Sequence, residues 1–304
     1  MTPSSVPILV LAFNRPDRVR QLFERLTAIQ PQQLFFAVDG PRADRPADQE
    51  LVTQTQKLTE LIDWDCKIHT QFQVNNLGCA RGVTAGIDWF FSQVSEGIIL
   101  EDDVLPDPSF FPFCAELLEK YRDDSNVWCV SGSNRLPQER VSQDFSYRFS
   151  TIPQVWGWAT WRDRWEKYSL DIGNWRSRGL SNLDLLTRVN YSPTAFAFWS
   201  ANFDLMAKMA VDTWDIQLVN AAMRNNALAA VPNVNLIENI GWGSDATHTH
   251  ETPRSLQPVE EINFPLVHPD VKVDSRADRY MNKVVYQATT VGLVRAFMRY
   301  RMKK

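Results

Sequence analysis

Apolar runs and amphipathic stretches alternate along the first hundred residues of the chain. Continuous apolar runs at 7–14, 34–40 and 97–100, together with an alternating stretch at 66–74, predict four strands. Between them, apolar residues recur at helical spacing, as in Val19, Leu22, Phe23 and Leu26. Strand and helix therefore alternate four times, which predicts an α/β fold with a mostly parallel central sheet flanked by helices.

The pattern changes in the second half of the chain. A helix over 109–124 and a strand over 127–134 continue the repeat, but polar turns and the aromatic run VWGWATWRDRWEKY follow between about 136 and 180. That region shows no clear βα repeat. Further on, the pattern predicts a helix and a turn over 214–232 and a strand leading into a glycine-rich loop over 233–250.

Composition narrows the classes of protein to consider. The chain has 304 residues, is 44% hydrophobic and carries a net charge of −4, which is ordinary for a soluble globular protein and gives no basic field for nucleic acid. No apolar run approaches the roughly 18 residues that span a bilayer, and the N-terminus lacks a signal-peptide pattern. The four cysteines form no CxxC pair, so we expect free thiols and a cytoplasmic protein.

The C-terminal segment VGLVRAFMRYRMKK is amphipathic and basic. Val291, Val294, Phe297 and Met298 share one helical face, with arginines and lysines around the terminus. We expect a terminal helix docked on the protein. The alternative is peripheral contact with the anionic inner face of a membrane.

Three acids, Glu101, Asp102 and Asp103, directly follow the buried strand that ends in GIIL. Open parallel sheets bind ligands at the carboxyl ends of their strands. Clustered carboxylates there stay ionised if a divalent cation neutralises them, and their hard oxygens suit Mn²⁺ or Mg²⁺. Because Mg²⁺ takes few protein carboxylates and completes its shell with phosphates, the acids predict a diphosphate ligand. The alternative is a solvated turn whose acids cap the helix that begins near Pro108.

A series of motifs in this order resembles the GT-A family of nucleotide-sugar glycosyltransferases, in particular the N-acetylglucosaminyltransferase I type and related bacterial sugar transferases. The motifs span roughly residues 6 to 250 and read ILVLAFNRPDRVRQLFERL, VDGPR, GIILEDDVLPDPSFFPF, VWCVSGSN, WGWATW, TWDIQLVNAAMRNN and NIGWGSDATHTH. The resemblance implies a GT-A, Rossmann-like sheet with an acceptor-side subregion. It divides the chain into a nucleotide-sugar-binding half at 1–135, an acceptor-binding and catalytic half at 136–265, and a helical tail at 266–304.

For the donor side, the resemblance implies that Asp103 binds Mn²⁺ or Mg²⁺, with Asp102 and Glu101 near the ribose and the donor sugar. The end of the first strand would lie near the base and phosphates, and Asp39 would accept the N–H of uracil, unless it only forms a turn with Gly40. A loop after the third strand would cover the donor. The further donor-side candidates are Ala12, Phe13, Asn14, Arg15, Asn76, Gly78 and Arg81. Arg15 could instead be a solvated residue at a helix start, and NNLGCARG a plain loop between a strand and a helix.

For the acceptor side, the resemblance implies an acid at a helix start that takes the proton of the acceptor hydroxyl. Asp215, which follows Trp214, is the first candidate and Asp212 the second, and either could instead cap that helix. Two residues of the aromatic run, Trp156 and Gly157, would border the sugar together with Trp158, unless the tryptophans only form a corner of the hydrophobic core. A histidine in SDATHTH, His248 before His250, would reach the diphosphate or the metal.

The resemblance leads to a metal-dependent glycosyltransferase that moves a sugar from a UDP-sugar, with UDP-N-acetylglucosamine as one candidate, to a glycan, lipid-linked or protein hydroxyl, with inversion. A non-catalytic nucleotide-sugar or glycan-binding protein of the same fold is the alternative. A sugar-phosphate nucleotidyltransferase is disfavoured, because AFNRPDR lacks the glycines that hold a triphosphate. Charge and motifs give no support for a nucleic-acid partner.

Overall fold

The computed structural model describes residues 2–242 and 256–292. Its strands are β1 (Ile8–Ala12), β2 (Gln33–Val38), β3 (Lys67–Phe72), β4 (Glu96–Glu101), β5 (Val104–Pro106), β6 (Val127–Ser131), β7 (Tyr147–Ser150), β8 (Trp158–Trp161), β9 (Leu228–Pro232) and β10 (Ile237–Asn239). Its helices are α1 (Pro16–Leu26), α2 (Pro46–Gln56), α3 (Cys79–Phe91), α4 (Phe110–Lys120), α5 (Arg162–Trp165), α6 (Asn182–Arg188), α7 (Pro193–Met206), α8 (Asp215–Arg224) and α9 (Ser275–Tyr280).

Eight of the described strands form one mostly parallel sheet in the order β3-β2-β1-β4-β8-β6-β9-β7. Strands β3, β2, β1 and β4 are parallel neighbours, and β6 and β9 run in the same direction. Two strands, β8 and β7, run in the opposite direction. The predicted α/β fold with a mostly parallel sheet flanked by helices is confirmed.

Alternate residues of the strands pack into separate cores on the two faces of the sheet. Ile8 and Val10 of β1 belong to the core with α1, α2 and α4, whereas Leu9 and Leu11 belong to the core with α3 and α8. A strand covered on both faces needs apolar residues at every position, which explains the continuous apolar runs. A third core lies among α6, α7 and α9.

The aromatic run contains a strand, β8, that the sequence pattern did not predict. Strand β8 is antiparallel to both β4 and β6 and lies between them, with all four of its residues buried. Strands β7 and β9 were also missed, and the turn predicted after α8 is in fact β9, which pairs with β6. These strands come from beyond position 135 yet join the same sheet, so the sheet is continuous across the predicted division of the chain.

The predicted free thiols are confirmed, and part of the tail is helical. All four cysteines are free thiols, with Cys114 and Cys129 buried. In the tail, α9 packs into the third core through Ala277, and the buried Asp278 accepts hydrogen bonds from Ser150 Oγ and Thr151 N. The basic C-terminal end of the tail lies outside the described residues. No helix within 2–242 or 256–292 is long and apolar enough to cross a membrane.

Candidate active site

A cavity of about 620 Å³ lies at the carboxyl edge of the sheet. The ends of β1, β2 and β4 open onto it, as does the start of α3. Because β8 runs antiparallel to β4, the residues that precede β8 also lie at this edge, and α8 begins there with Asp215. The predicted site residues that line the cavity are Ala12, Phe13, Arg15, Asp39, Asn76, Gly78, Glu101, Asp102, Asp103, Trp156, Asp212 and Asp215.

The acidic triplet lies at the tip of β4, in the turn between β4 and β5. Arg15 Nη1 lies 3.1 Å from Asp102 Oδ1 and 3.4 Å from Asp103 Oδ2. Desolvation raises the pKa of Asp102 to about 6, despite the nearby Arg15. Desolvation, with repulsion from Asp103 and Asp102, raises the pKa of Glu101 well above its ordinary value. Arg15, with a smaller contribution from Arg18, therefore leaves this cluster under-neutralised.

The chemistry of the triplet fits a divalent cation. The Asp103 side chain is 25% exposed toward the cavity, compared with 10% for Asp102, so Asp103 is the more accessible ligand. No group of three His, Cys, Asp or Glu side chains within the described ranges is arranged to hold a metal by itself. A site with one or two carboxylates and open positions for phosphate oxygens matches the preference of Mg²⁺. The predicted metal ligand His248, and His250, lie outside the described residues.

A short second sheet brings further residues to the acids. Strand β10 pairs antiparallel with β5, and Ile240 N donates to the carbonyl of Asp103 at 2.8 Å. Gly241 contacts the Asp103 carboxylate so closely that a side chain at this position would collide with it. Position 241 therefore requires glycine, because its backbone approaches the Asp103 carboxylate closely.

Two other carboxylates at the cavity are already occupied by protein donors. Asp39 accepts from Leu77 N and Gly40 N, both at 2.9 Å, from Asn76 Nδ2 at 2.9 Å and from Gly78 N at 3.2 Å. Asp212 accepts from the N–H groups of Cys79 and Ala80 in the first turn of α3, at 3.0 and 2.8 Å. Asp212 therefore caps α3 and not α8, the helix that follows it in sequence.

Asp215 differs from Asp212 in having an oxygen available. Its Oδ1 accepts from Thr213 Oγ1 at 2.5 Å and from Ile216 N at 2.9 Å. Its Oδ2 has no hydrogen-bond partner within the described ranges. Trp214, directly before it, is buried and stacks on Trp158 with ring centroids 5.8 Å apart, which anchors the start of α8. Asp215 can therefore accept a proton on Oδ2 without losing its anchoring contacts.

An aromatic pair borders the cavity beyond β4. The rings of Trp156 and Trp242 meet edge to face with centroids 5.4 Å apart, and the Arg135 guanidinium lies 5.2 Å from the Trp156 ring centre. Sequence reasoning missed Trp242, although it lies within the motif NIGWGSDATHTH. Its Nε1 is buried and has no hydrogen-bond partner in the described part of the chain. An aromatic residue inside a glycine-rich loop was the signal that could have found it.

Arg42 is a second cavity residue that sequence reasoning missed. Its guanidinium lies 5.1 Å from the centre of the Phe13 ring, and its Nη2 donates to Asp48 Oδ1 at 2.9 Å. The Arg42 hydrogen bonds lower the pKa of the buried Asp48 to about 2. Asn14 Nδ2 donates to the same Asp48 Oδ1 at 2.8 Å. This network fixes Phe13 at the end of β1.

Four predicted residues do not line the cavity: Asn14, Arg81, Gly157 and Trp158, which is buried in the core with α3 and α8. Asn14 is held by Asp48, and Arg81 is exposed in the first turn of α3. Gly157 has a φ of 60°, and its carbonyl accepts from Gly132 N at 2.7 Å. Its role in the structure is the turn into β8, which a residue with a side chain would strain.

Cys79 also lines the cavity, but its chemistry argues against a nucleophile. Burial and the nearby Glu101 raise the pKa of its thiol to about 12. Nucleophilic cysteines require a thiolate, which this environment disfavours. The reactive groups offered by the cavity are therefore its carboxylates.

Comparisons with known proteins add only remote similarities. No family model matches the chain. A mannosyltransferase from Pyrobaculum calidifontis, solved with GDP-Man and Mn²⁺, is 12% identical, with a TM-score of 0.40 over 72% of this chain and 75% of that chain. A mannose-1-phosphate geranyltransferase from Thermus thermophilus is 13% identical, with a TM-score of 0.35 over 76% of this chain and 74% of that one. The inositol-1-phosphate CTP transferase from T. maritima is 8% identical, with a TM-score of 0.36 over 76% and 86%. Similarities this remote assign no activity to the chain.

Proposed function

We propose that the chain is a metal-dependent glycosyltransferase of the GT-A type that transfers a sugar from a UDP-sugar to a hydroxyl acceptor with inversion. The observation that carries the proposal is that two kinds of acid line one cavity. Under-neutralised carboxylates lie at the tip of β4, and Asp215, with one free oxygen, lies at the start of α8. A cation-dependent transfer needs both kinds of group.

The donor side of the cavity supplies charge and position. Asp103, with Asp102 beside it, would hold Mn²⁺ or Mg²⁺, which stabilises negative charge on the leaving diphosphate. Arg15, already paired with both acids, adds a positive charge at the same place. The buried Asp102 also accepts from Phe13 N at 3.4 Å, so the acids and the end of β1 form one unit.

The acceptor side supplies the base. The oxygen of the acceptor hydroxyl attacks the anomeric carbon while the bond from that carbon to the diphosphate oxygen breaks. The electron pair of that bond leaves with UDP, and the hydroxyl proton moves to Asp215 Oδ2. Thr213 and Ile216 N hold the other oxygen, so the carboxylate keeps its orientation through the transfer. Asp212 is a poor base, because the two hydrogen bonds that cap α3 occupy both of its oxygens.

The aromatic pair Trp156 and Trp242 would border the transferred sugar. Aromatic faces pack against the C–H face of a sugar ring, and the buried Trp242 N–H offers a hydrogen bond to a sugar or phosphate oxygen. The sugar itself is open, and UDP-N-acetylglucosamine is the first donor to test.

The test is UDP release. Purified protein with Mn²⁺ or Mg²⁺ is incubated with a panel of UDP-sugars and with glycan, lipid-linked and protein acceptors. We expect release with at least one donor, and release should stop on addition of a chelator. If no donor gives release and UDP with Mn²⁺ does not raise the melting temperature, the proposal is wrong. Binding without turnover for any acceptor would favour a non-catalytic nucleotide-sugar-binding protein.

A further inference from the structure

Two glutamines face the cavity from β3 and the residue just beyond its end. Gln71 lies opposite Ala37 in the parallel register of β3 and β2, and Gln73 N continues the ladder by donating to the Val38 carbonyl at 2.9 Å. His69, two residues before Gln71, stacks on Phe35 in the core that includes α3. Since side chains alternate along a strand, Gln71 and Gln73 share this face, and both line the cavity.

These two amides are unoccupied, unlike the acid beside them. Neither the Gln71 nor the Gln73 side chain makes a hydrogen bond to another described residue. Asp39, at the end of the neighbouring strand β2, is saturated by Gly40, Asn76, Leu77 and Gly78. A ligand at this end of the cavity therefore finds hydrogen-bonding capacity on the glutamines and little on Asp39.

The glutamines lie at the right place for a nucleobase. Strand β3 is three interstrand spacings from β4, or about 14 Å. A nucleoside diphosphate whose phosphates lie at the tip of β4 would extend its base in this direction, past β1 and β2. The start of α3 leaves room there, because Gly78, Cys79 and Gly82 line the cavity and a side chain at Gly82 would crowd Asp39.

We propose that Gln71 and Gln73 determine which nucleobase the donor carries, a role that rests on the nucleotide-sugar site proposed above. Each amide offers one acceptor and two donors, so the pair can match the alternating carbonyl and N–H groups of uracil. Asp39 is then a structural residue that holds the loop 76–78 over the base, and it does not select the base.

The experiment exchanges amides for carboxylates of the same shape. Gln71→Glu and Gln73→Glu turn a donor and acceptor group into an acceptor only, which repels the uracil carbonyls but accepts from the cytosine amino group. Dissociation constants for UDP, CDP and inorganic pyrophosphate are measured by calorimetry with Mn²⁺. The matched control is Gln93→Glu, an exposed position just beyond α3 that carries the same charge change outside the cavity.

We expect the preference for UDP over CDP to fall at least about tenfold in one or both cavity variants, since loss of a matched hydrogen bond to a substrate group is worth this much or more. The added negative charge weakens the binding of UDP and of CDP equally, so its effect cancels in the ratio of the two dissociation constants. The dissociation constant of pyrophosphate measures that electrostatic effect separately. Gln93→Glu should leave all three affinities unchanged. If both cavity variants, and the double variant, keep the wild-type ratio within about twofold, the inference is wrong.

Failure of the inference is distinguishable from failure of the proposed function. If the wild-type protein binds UDP and Mn²⁺ but the ratio does not respond to the glutamines, only base selection by these residues is rejected. If the wild-type protein binds pyrophosphate but discriminates among no nucleotides, base selection is again rejected while the metal and phosphate site stands. If it binds neither nucleotide nor pyrophosphate with Mn²⁺, the function itself is rejected, and the inference with it.

Discussion

The tip of β4 and the N-terminus of α3 both place carboxylates at the same cavity, but the protein supplies them with different numbers of hydrogen-bond donors. At the tip of β4, Glu101 and Asp102 have raised pKa values because burial and mutual repulsion outweigh the attraction of Arg15 and, for Asp102, of Arg18. At α3, the carboxylates of Asp39 and Asp212 accept six of the backbone and amide hydrogen bonds described above. We call the first group incomplete, because few protein donors reach it, and the second complete, although burial raises the pKa of Asp39 as well. A carboxylate at a cavity is thus a candidate for ligand chemistry only when its surroundings leave it unsatisfied.

The largest expected effect comes from the incomplete group. Asp103→Asn should lower the rate of UDP release about a thousandfold, because a bound cation is worth several kcal/mol of charge stabilisation and each 1.4 kcal/mol is a factor of ten. Steady-state UDP release with Mn²⁺ measures it. Asp123→Asn, at an exposed position after α4, is the control and should retain the wild-type rate. A near-normal rate for Asp103→Asn would remove the distinction between the two groups.

The next effect separates Asp215 from Asp212. Asp215→Asn should lower kcat by about a hundredfold to ten-thousandfold, the usual worth of a general base, and leave UDP affinity intact. Asp212→Asn should cost less than about tenfold in kcat, because its amide oxygen still accepts from one of the two N–H groups in the first turn of α3. Single-turnover rates and UDP titrations of the matched pair decide between them. The reverse order of the two variants would make Asp212 the base.

The complete group should matter chiefly for stability. Asp39→Ala removes the acceptor for donors from four residues and should lower the free energy of unfolding by about 3 kcal/mol, since a hydrogen bond to a charged group contributes about 1.5–3 kcal/mol and desolvation offsets part of the sum. Urea denaturation followed by circular dichroism measures it. The exposed Asp44→Ala serves for comparison and should change stability little. An unchanged midpoint for Asp39→Ala would show that the loop does not depend on this acid.

The smallest effect concerns Asp48, which Arg42 neutralises. The pKa of Asp48 is lowered to about 2, so its ion pair stabilises the folded state above pH 4 and is lost as the pH falls toward 2. The difference in melting temperature between the wild type and Asp48→Asn should be full at pH 5 and shrink between pH 4 and pH 2. The ion pair contributes at most about 2 kcal/mol to the free energy of unfolding, because the Arg42 side chain is 34% exposed and solvent screens the pair. A difference in melting temperature that stays constant from pH 5 to pH 2 would contradict the lowered pKa of Asp48.

Local pattern was sufficient for β1 to β4 and for β6, and it failed for β7, β8 and β9. Strands β1 and β4 are covered on both faces, so their apolar runs are visible in sequence. Strand β8 is equally buried, but its aromatic residues are followed by charged ones and its partners lie 27 or more residues away in the chain. Strand β9 is rich in alanine and ends at Pro232, which weakens its strand signal, and its pairing with β6 is entirely non-local.

The candidate site shows the same difference between features visible in local sequence and features that depend on distant residues. The acids at the tip of β4 were predicted because three acids after a buried strand are visible as a motif. The saturation of Asp39 was not, because three of its four donor residues belong to a loop 37 to 39 residues further along the chain; only the turn with Gly40 is local. The role of Asp212 as the cap of α3 connects positions more than 130 residues apart. Neither relation leaves a periodic trace in sequence.

The amino-acid sequence by itself determined the alternation of strands and helices and the position of the acidic triplet at a strand end, because both depend on residues that are neighbours in the chain. Only the tertiary structure decided which carboxylates are satisfied and which are free, and that Gln71, Gln73, Arg42 and Trp242 face the cavity. These properties depend on which distant backbone N–H groups and side chains approach each residue once the sheet has formed.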